Sequence, residues 1–280
     1  MDEAYTGFAG VYDEFMDNVP YEEWAEFIIG RLLENGIEDG LVLDLGCGTG
    51  TLTRLLAQRG FDMIGVDGSL DMLEIARQCS AKGAAAQKPA SEGEPLAAAQ
   101  GPGKGSEILY LCQDMREFEL YGTVKAVVSV CDSLNYITEP SELKTVFRLV
   151  NNYLERGGLF IFDLNTPFKF REMLGDSTFA EDRDNKAFIW DNCFDEESGI
   201  NEYALTLFTE DEDGRYTKST ELHYERCYDI DEIKSLLAEA GMEFVGAFAD
   251  YTDEPYKVDS EAERMVIVAR EGFQEGKKYE

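Results

Sequence analysis

Residues 42 to 50 read Val-Leu-Asp-Leu-Gly-Cys-Gly-Thr-Gly, an apolar run that ends in alternate glycines. Glycine lets a backbone turn sharply and approach a ligand closely, so this pattern predicts a buried strand, a tight turn and a following helix. The helix N-terminus then presents unpaired N–H groups, and a nucleotide-like ligand is implied. The rest of the chain agrees with a parallel sheet and crossover helices. LVLDLG (41–46), FDMIGVD (61–67), ILYLCQD (108–114), VKAVVSVCD (124–132) and GLFIFDLN (158–165) have the near-continuous apolar character of strands covered on both faces. Helices are predicted over Thr51 to Arg59, Leu70 to Cys79 and Ser141 to Leu154.

Ahead of the sheet, Pro20 starts a helix with Tyr21, Trp24, Phe27, Ile28 and Leu32 on one face and Glu22, Glu23 and Glu26 on the other. From Ala187 to Asp229 the pattern changes to two-residue alternation, with turn chemistry at Glu197-Ser198-Gly199 and Asp213-Gly214. An antiparallel β cap is predicted over 187–229. A helix from Asp231 to Ala240 and strands over 242–250 and 263–271 complete the chain. The segment 80–106, built almost wholly of Ala, Gly, Pro, Gln, Ser, Lys and Glu, should be a flexible low-complexity insertion into one domain. The fold class expected is α/β, a Rossmann-like doubly wound sheet of about seven strands with a reversed last strand, plus an antiparallel β insertion and an N-terminal helical lid.

Charge narrows the functions available. The chain has 25 Lys and Arg against 57 Asp and Glu, a net charge of −32, which opposes direct nucleic-acid binding through the surface field. No stretch approaches the roughly 20 apolar residues of a membrane span, and the N-terminus lacks a signal-peptide pattern, so a soluble, cytoplasmic protein is expected. The six cysteines are scattered with no C-x-x-C pair, which predicts reduced, mostly buried thiols and no metal site.

Asp67 ends the second strand, nineteen residues beyond Gly48, where a carboxylate can accept both hydroxyls of a ribose. A dinucleotide site favours G-x-G-x-x-G, whereas this turn is G-x-G-x-G with Asp44 just before it, a poor neighbour for a diphosphate and a good one for a cationic ligand. DLGCGTG resembles motif I of the class I S-adenosylmethionine-dependent methyltransferases. The resemblance covers most of the chain outside 80–106. It implies that S-adenosyl-L-methionine is the cofactor, with Gly46, Cys47, Gly48 and Gly50 in the turn, Asp67 on the ribose, and Gly68 and Met72 beside it. It further implies Asp114 on the adenine amino group, Met115 against the ring, and Cys131 at the edge of the site. The segment Tyr5 to Met16 is similar to the family's N-terminal helical lid, here spanning 1–36, in which the tyrosine matching Tyr12 helps close the site. The last two strands match the family's reversed final hairpin.

Methyl transfer from a sulfonium is an in-line displacement that needs alignment in a water-poor pocket and no covalent protein nucleophile. A tyrosine face, Tyr5 or Tyr12, would stabilise the cation. Substrate-facing candidates are Asn135, Tyr136 and His223, with Asp132, Asn165, Tyr224 and Arg226 around them. The loop Cys131-Asp132-Ser133-Leu134-Asn135-Tyr136 differs from the N-P-P-Y type of members that methylate amides or base amino groups. Residues 1–40 carry eleven acids against Arg31 alone, a field that suits a small neutral or cationic acceptor such as an amine. The leading reading is methyl transfer to nitrogen or oxygen of a small molecule. The alternatives are a tRNA-modifying methyltransferase working with a partner and a non-catalytic cofactor-binding regulatory protein.

Overall fold

The strand-turn-helix unit that opens the sheet lies inside it, with a strand on either side. The computed structural model describes residues 9–86, 107–211 and 213–272. Two helices, α1 (Ala9–Phe15) and α2 (Tyr21–Glu34), precede β1 (Leu41–Leu45), α3 (Thr51–Gln58), β2 (Asp62–Asp67) and α4 (Leu70–Ala86). Then come β3 (Leu109–Cys112), β4 (Val124–Ser129), α5 (Pro140–Tyr153) and β5 (Leu154–Asn165). The four strands β6 (Thr178–Arg183), β7 (Lys186–Asp195), β8 (Ile200–Glu210) and β9 (Tyr216–Arg226) lead to α6 (Ile230–Glu239), β10 (Glu243–Ala249) and β11 (Arg264–Arg270).

The main sheet has seven strands in the order β10-β11-β5-β4-β1-β2-β3. Pairings from β5 through β3 are parallel, and β11 is inserted antiparallel between β5 and β10. Only β11 is thus reversed, in agreement with a sheet whose last strand is reversed. The chain leaves β1 toward β2 on one side and β4 lies on the other, so the switch point, where ligands of open α/β sheets bind, falls between β1 and β4.

Each face of the sheet has its own core. Alternation sends Leu43 and Leu45 toward α5 and α6, where they join Val146, Phe147, Ile233 and Leu237. Val42 points the other way, with Ala126, Val128 and Ile161, against Ile28 and Leu32 of α2 and Leu52 and Leu56 of α3. Asp44 shares that second face and is also buried, so it needs a polar partner from α3.

Several predicted boundaries move. Helix α4 runs to Ala86, so the low-alanine-cost start of the segment 80–106 is helical, and its remainder from 87 lies outside the described residues. The antiparallel sheet, in the order β6-β7-β8-β9, begins at Thr178 instead of 187. Its first strand TFAEDR is a polar edge strand without the apolar alternation that marks its neighbours. The cysteines are unpaired, yet Cys112 and Cys193 are exposed and the other four only half-buried.

Phe147 is fully buried and packs on Phe160 at 5.9 Å and Phe162 at 5.4 Å between centroids. Phe147→Ala should lower unfolding free energy by about 3–5 kcal/mol, read from the urea midpoint.

Candidate functional site

The turn after β1 is built on left-handed backbone at Gly46 (φ 80°), Gly48 (φ 53°) and Gly50 (φ 75°). A Cβ at Gly46 would meet Ser133 at 2.8 Å and one at Gly50 the Tyr110 hydroxyl at 2.5 Å, whereas Gly48 faces open space. The N–H groups of Gly46 and Cys47 donate to the Val66 carbonyl at 2.8 and 3.0 Å, tying the turn to β2. The Asp67 carboxylate accepts from the Gly48 N–H and the Ser69 N–H, both at 2.8 Å, and so spans both loops. Burial pushes its pKa up and these two donors pull it down.

A cavity of about 260 Å³ opens here, at the switch point. Tyr12, Asp44, Gly46, Cys47, Gly48 and Asp67 line it, and so do Gly68, Met72, Met115, Cys131 and Tyr136. Eleven predicted residues therefore converge on one space. Gly50 stands behind the turn. Asp114 does not reach the cavity: the Arg116 guanidinium grips its carboxylate, with one bond at 2.6 Å, and holds its pKa below the usual range. Asp114 lines a neighbouring recess instead, while the residues flanking it, Gln113 and Met115, line the main cavity. Gln113, Ser69 and Tyr21 were not singled out from sequence, since nothing in their spacing distinguishes them from loop or core residues.

Asp44 is 1% exposed and its Oδ2 accepts from the buried Thr53 hydroxyl at 2.5 Å. Its Oδ1, also buried, has no hydrogen-bond partner among the described residues. Burial is the main force pushing its pKa up to about 7, with the Asp67 charge adding to it and Thr53 opposing. The N–H groups of Gly48 and Ser69 are bonded by Asp67 and not by Asp44. Burial likewise raises the thiols of Cys47 and Cys131, the latter to about 11, so both are neutral at pH 7.

The loop after β4 carries left-handed backbone at two non-glycine residues, Cys131 (φ 61°) and Asp132 (φ 54°). The fully buried Asp163 of β5 holds it there. Its carboxylate accepts from the N–H of Cys131 at 3.2 Å and of Asp132 at 2.9 Å, from the Tyr251 hydroxyl at 2.8 Å and from Arg264 at 3.0 Å. Arg264 also pairs with Asp132 at 2.7 Å and lies over the Trp24 ring. Sequence analysis missed Asp163, although a lone acid inside the apolar strand FIFDLN must be buried and therefore paired.

The loop thus points Cys131 into the cavity, where the hydroxyls of Tyr12 and Tyr21 lie 3.8 and 3.5 Å from its sulfur. Thr49 donates to Asp13 at 2.6 Å, which pins α1 over the glycine turn. Tyr5 lies outside the described residues. Asn135 is fully buried and does not reach the cavity: its Nδ2 donates to the Arg226 carbonyl at 2.8 Å and its Oδ1 accepts from the Asn165 N–H at 3.0 Å. Asn165 in turn reaches Glu225 at 3.3 Å. His223 stands one layer behind Tyr136, Arg226 pairs with Glu232 at 3.1 Å, and Tyr224 points outward. Of the acceptor-side candidates, only Tyr136 faces the cavity. Among the described residues no group of three or more His, Cys, Asp or Glu is placed to hold a metal ion.

Comparison with known proteins agrees with this geometry. The methyltransferase domain family matches residues 42–158. The chain is 34% identical over 269 residues to the provisionally named methyltransferase GWCH70_2453 of Geobacillus sp. (strain WCH70), covering 95% of this chain and 99% of that one. It is 33% identical over 270 residues to YqeM of Bacillus subtilis (strain 168), likewise named a methyltransferase provisionally, covering 95% and 96%. The crystal structure of a S-adenosylmethionine-dependent methyltransferase from Clostridium acetobutylicum ATCC 824 superposes with a TM-score of 0.79 at 28% identity, over 96% of this chain and 99% of that one.

Asp163→Asn removes the charge that faces Arg264 and weakens the anchor of a strained loop. It should cost about 3 kcal/mol or more of stability in urea titration, because one side of a buried ion pair is lost.

Proposed function

The chain belongs to the S-adenosylmethionine-dependent methyltransferases, and on that premise we propose that it methylates nitrogen or oxygen of a small-molecule acceptor. The observation that carries the cofactor half of this reading is the unpartnered Asp44 Oδ1, a buried acceptor at the wall of the cavity. A carboxylate oxygen in that position matches a cationic amino group. In this reading Asp67 accepts the ribose hydroxyls, Met72 and Met115 pack on the base, and the glycine turn admits the ligand because Gly48 leaves open space. Bound there, S-adenosylmethionine supplies a methyl group activated by a positive sulfur.

The protein's own task is alignment and exclusion of water. Tyr12 and Tyr21 crowd the Cys131 sulfur from the side of α1 and α2, and Tyr136 also lines the cavity, so part of its wall is aromatic. Such faces favour a cation over an anion. The thiols of Cys47 and Cys131, neutral at pH 7, do not compete as thiolates. What supports a small acceptor is a net charge of −32, which repels polyanions. The aromatic part of the wall and the acidic field also fit an amine, whose proton must leave before attack if it arrives charged.

Transfer of labelled methyl from S-adenosylmethionine into cell extract, separated into small-molecule, RNA and protein fractions, tests this. Label should enter the small-molecule fraction. Asp67→Ala should reduce cofactor affinity about a hundredfold or more, through loss of two bonds to a charged group. Label in RNA would overturn the small-acceptor reading, and no label in any fraction would favour a binding protein without turnover.

A further inference from the structure

Strand β9 is inside out. Glu221, His223 and Glu225 are 8%, 3% and 3% exposed, while Leu222 and Tyr224 between them are 48% and 43% exposed. A strand with one buried face ordinarily places its apolar residues inward, and burying polar side chains costs free energy that apolar residues would not. Packing alone therefore gives no reason for this arrangement.

The inward groups are ordered toward the cavity. His223 Nε2 lies 3.3 Å from the Glu221 carboxylate. Its ring stacks on Tyr203 of β8, its cross-strand partner, at 4.7 Å and 8°, and meets the Tyr136 ring edge-on at 5.8 Å. The Tyr203 and Tyr136 hydroxyls are hydrogen-bonded to each other. Tyr136 alone of the four lines the cavity. Glu221 thus holds His223, His223 sets the plane of Tyr203, and Tyr203 fixes the hydroxyl and ring of Tyr136.

Resting on the small-acceptor reading, we propose that Tyr136 is the side chain that orients the acceptor, and that Tyr203, His223 and Glu221 are its positioning residues. The positioning groups exchange no proton with the acceptor and form no bond to it. Their effect is confined to the rotamer of one wall, so acceptor saturation should respond to them and cofactor binding should not.

The test uses the full chain and four variants: Tyr136→Phe, Tyr203→Phe, Glu221→Gln and the double variant Tyr136→Phe/Tyr203→Phe. Labelled-methyl transfer is followed over a dilution series of small-molecule cell extract, and S-adenosylhomocysteine binding is measured by calorimetry. Tyr203→Phe and Glu221→Gln should each raise the half-saturating amount of extract about tenfold, while the dissociation constant for S-adenosylhomocysteine stays within about twofold of wild type. The double variant should be no worse than Tyr136→Phe alone, because Tyr203 acts through the hydroxyl already removed. Unchanged acceptor saturation, multiplying effects in the double variant, or a parallel loss of S-adenosylhomocysteine binding would each overturn the proposal and leave a packing role. A wild-type protein that labels no small molecule would instead refute the small-acceptor reading, and this assignment with it.

Discussion

A carboxylate inside a sheet must find donors, and three such groups shape the carboxyl edge of this one. Asp163 in β5 is satisfied by two backbone N–H groups, a phenol and a guanidinium, and in return fixes the loop after β4. Asp67 in β2 is satisfied by backbone N–H groups from the glycine turn and from the start of α4. Asp44 in β1 is satisfied at one oxygen only. The first two set the shape of the cavity, and the third leaves it an unmet demand for a donor.

That demand falls at the switch point because of strand order. β1 lies between β2 and β4, so the loops that follow these three strands border one crevice. Helices α1 and α2 bring Tyr12 and Tyr21 over the crevice, and the antiparallel sheet backs Tyr136 with Tyr203 and His223. Phe15 of α1 meets Phe188 of β7 at 5.0 Å, joining the two covers on one side of the mouth. In the proposed reading, buried carboxylates define the cofactor end and aromatic rings the acceptor end.

Much of this was legible in the sequence. The strands of the sheet, the glycine turn and the place of Asp67 at the cavity followed from apolar runs and from spacing, because each is a local pattern. The loop after β4 was legible as a site and not residue by residue: Asn135 and Tyr136 are neighbours, yet one is a buried clamp and the other a wall. Their division depends on Arg226 and Asn165, partners far away in the chain. Asp114 was assigned by resemblance, and its capture by Arg116 two residues later is a local contact that the spacing permits without requiring. Asp163 and Arg264 were not found, since a buried charge pair formed between β5 and β11 leaves only a lone acid in an apolar strand as its trace.

The central claim is that Asp44 waits for the cofactor's cationic group, and its protonation reports this. A carboxyl with its pKa pushed up to about 7 holds a proton below that pH, and an approaching cation favours the charged form, so binding should expel the proton. Calorimetry of S-adenosylhomocysteine binding at pH 6.5, in buffers of different ionisation enthalpy, measures that proton directly. Wild type should release about half to one proton more per site than Asp44→Asn. Equal proton balance in the two proteins would contradict the account.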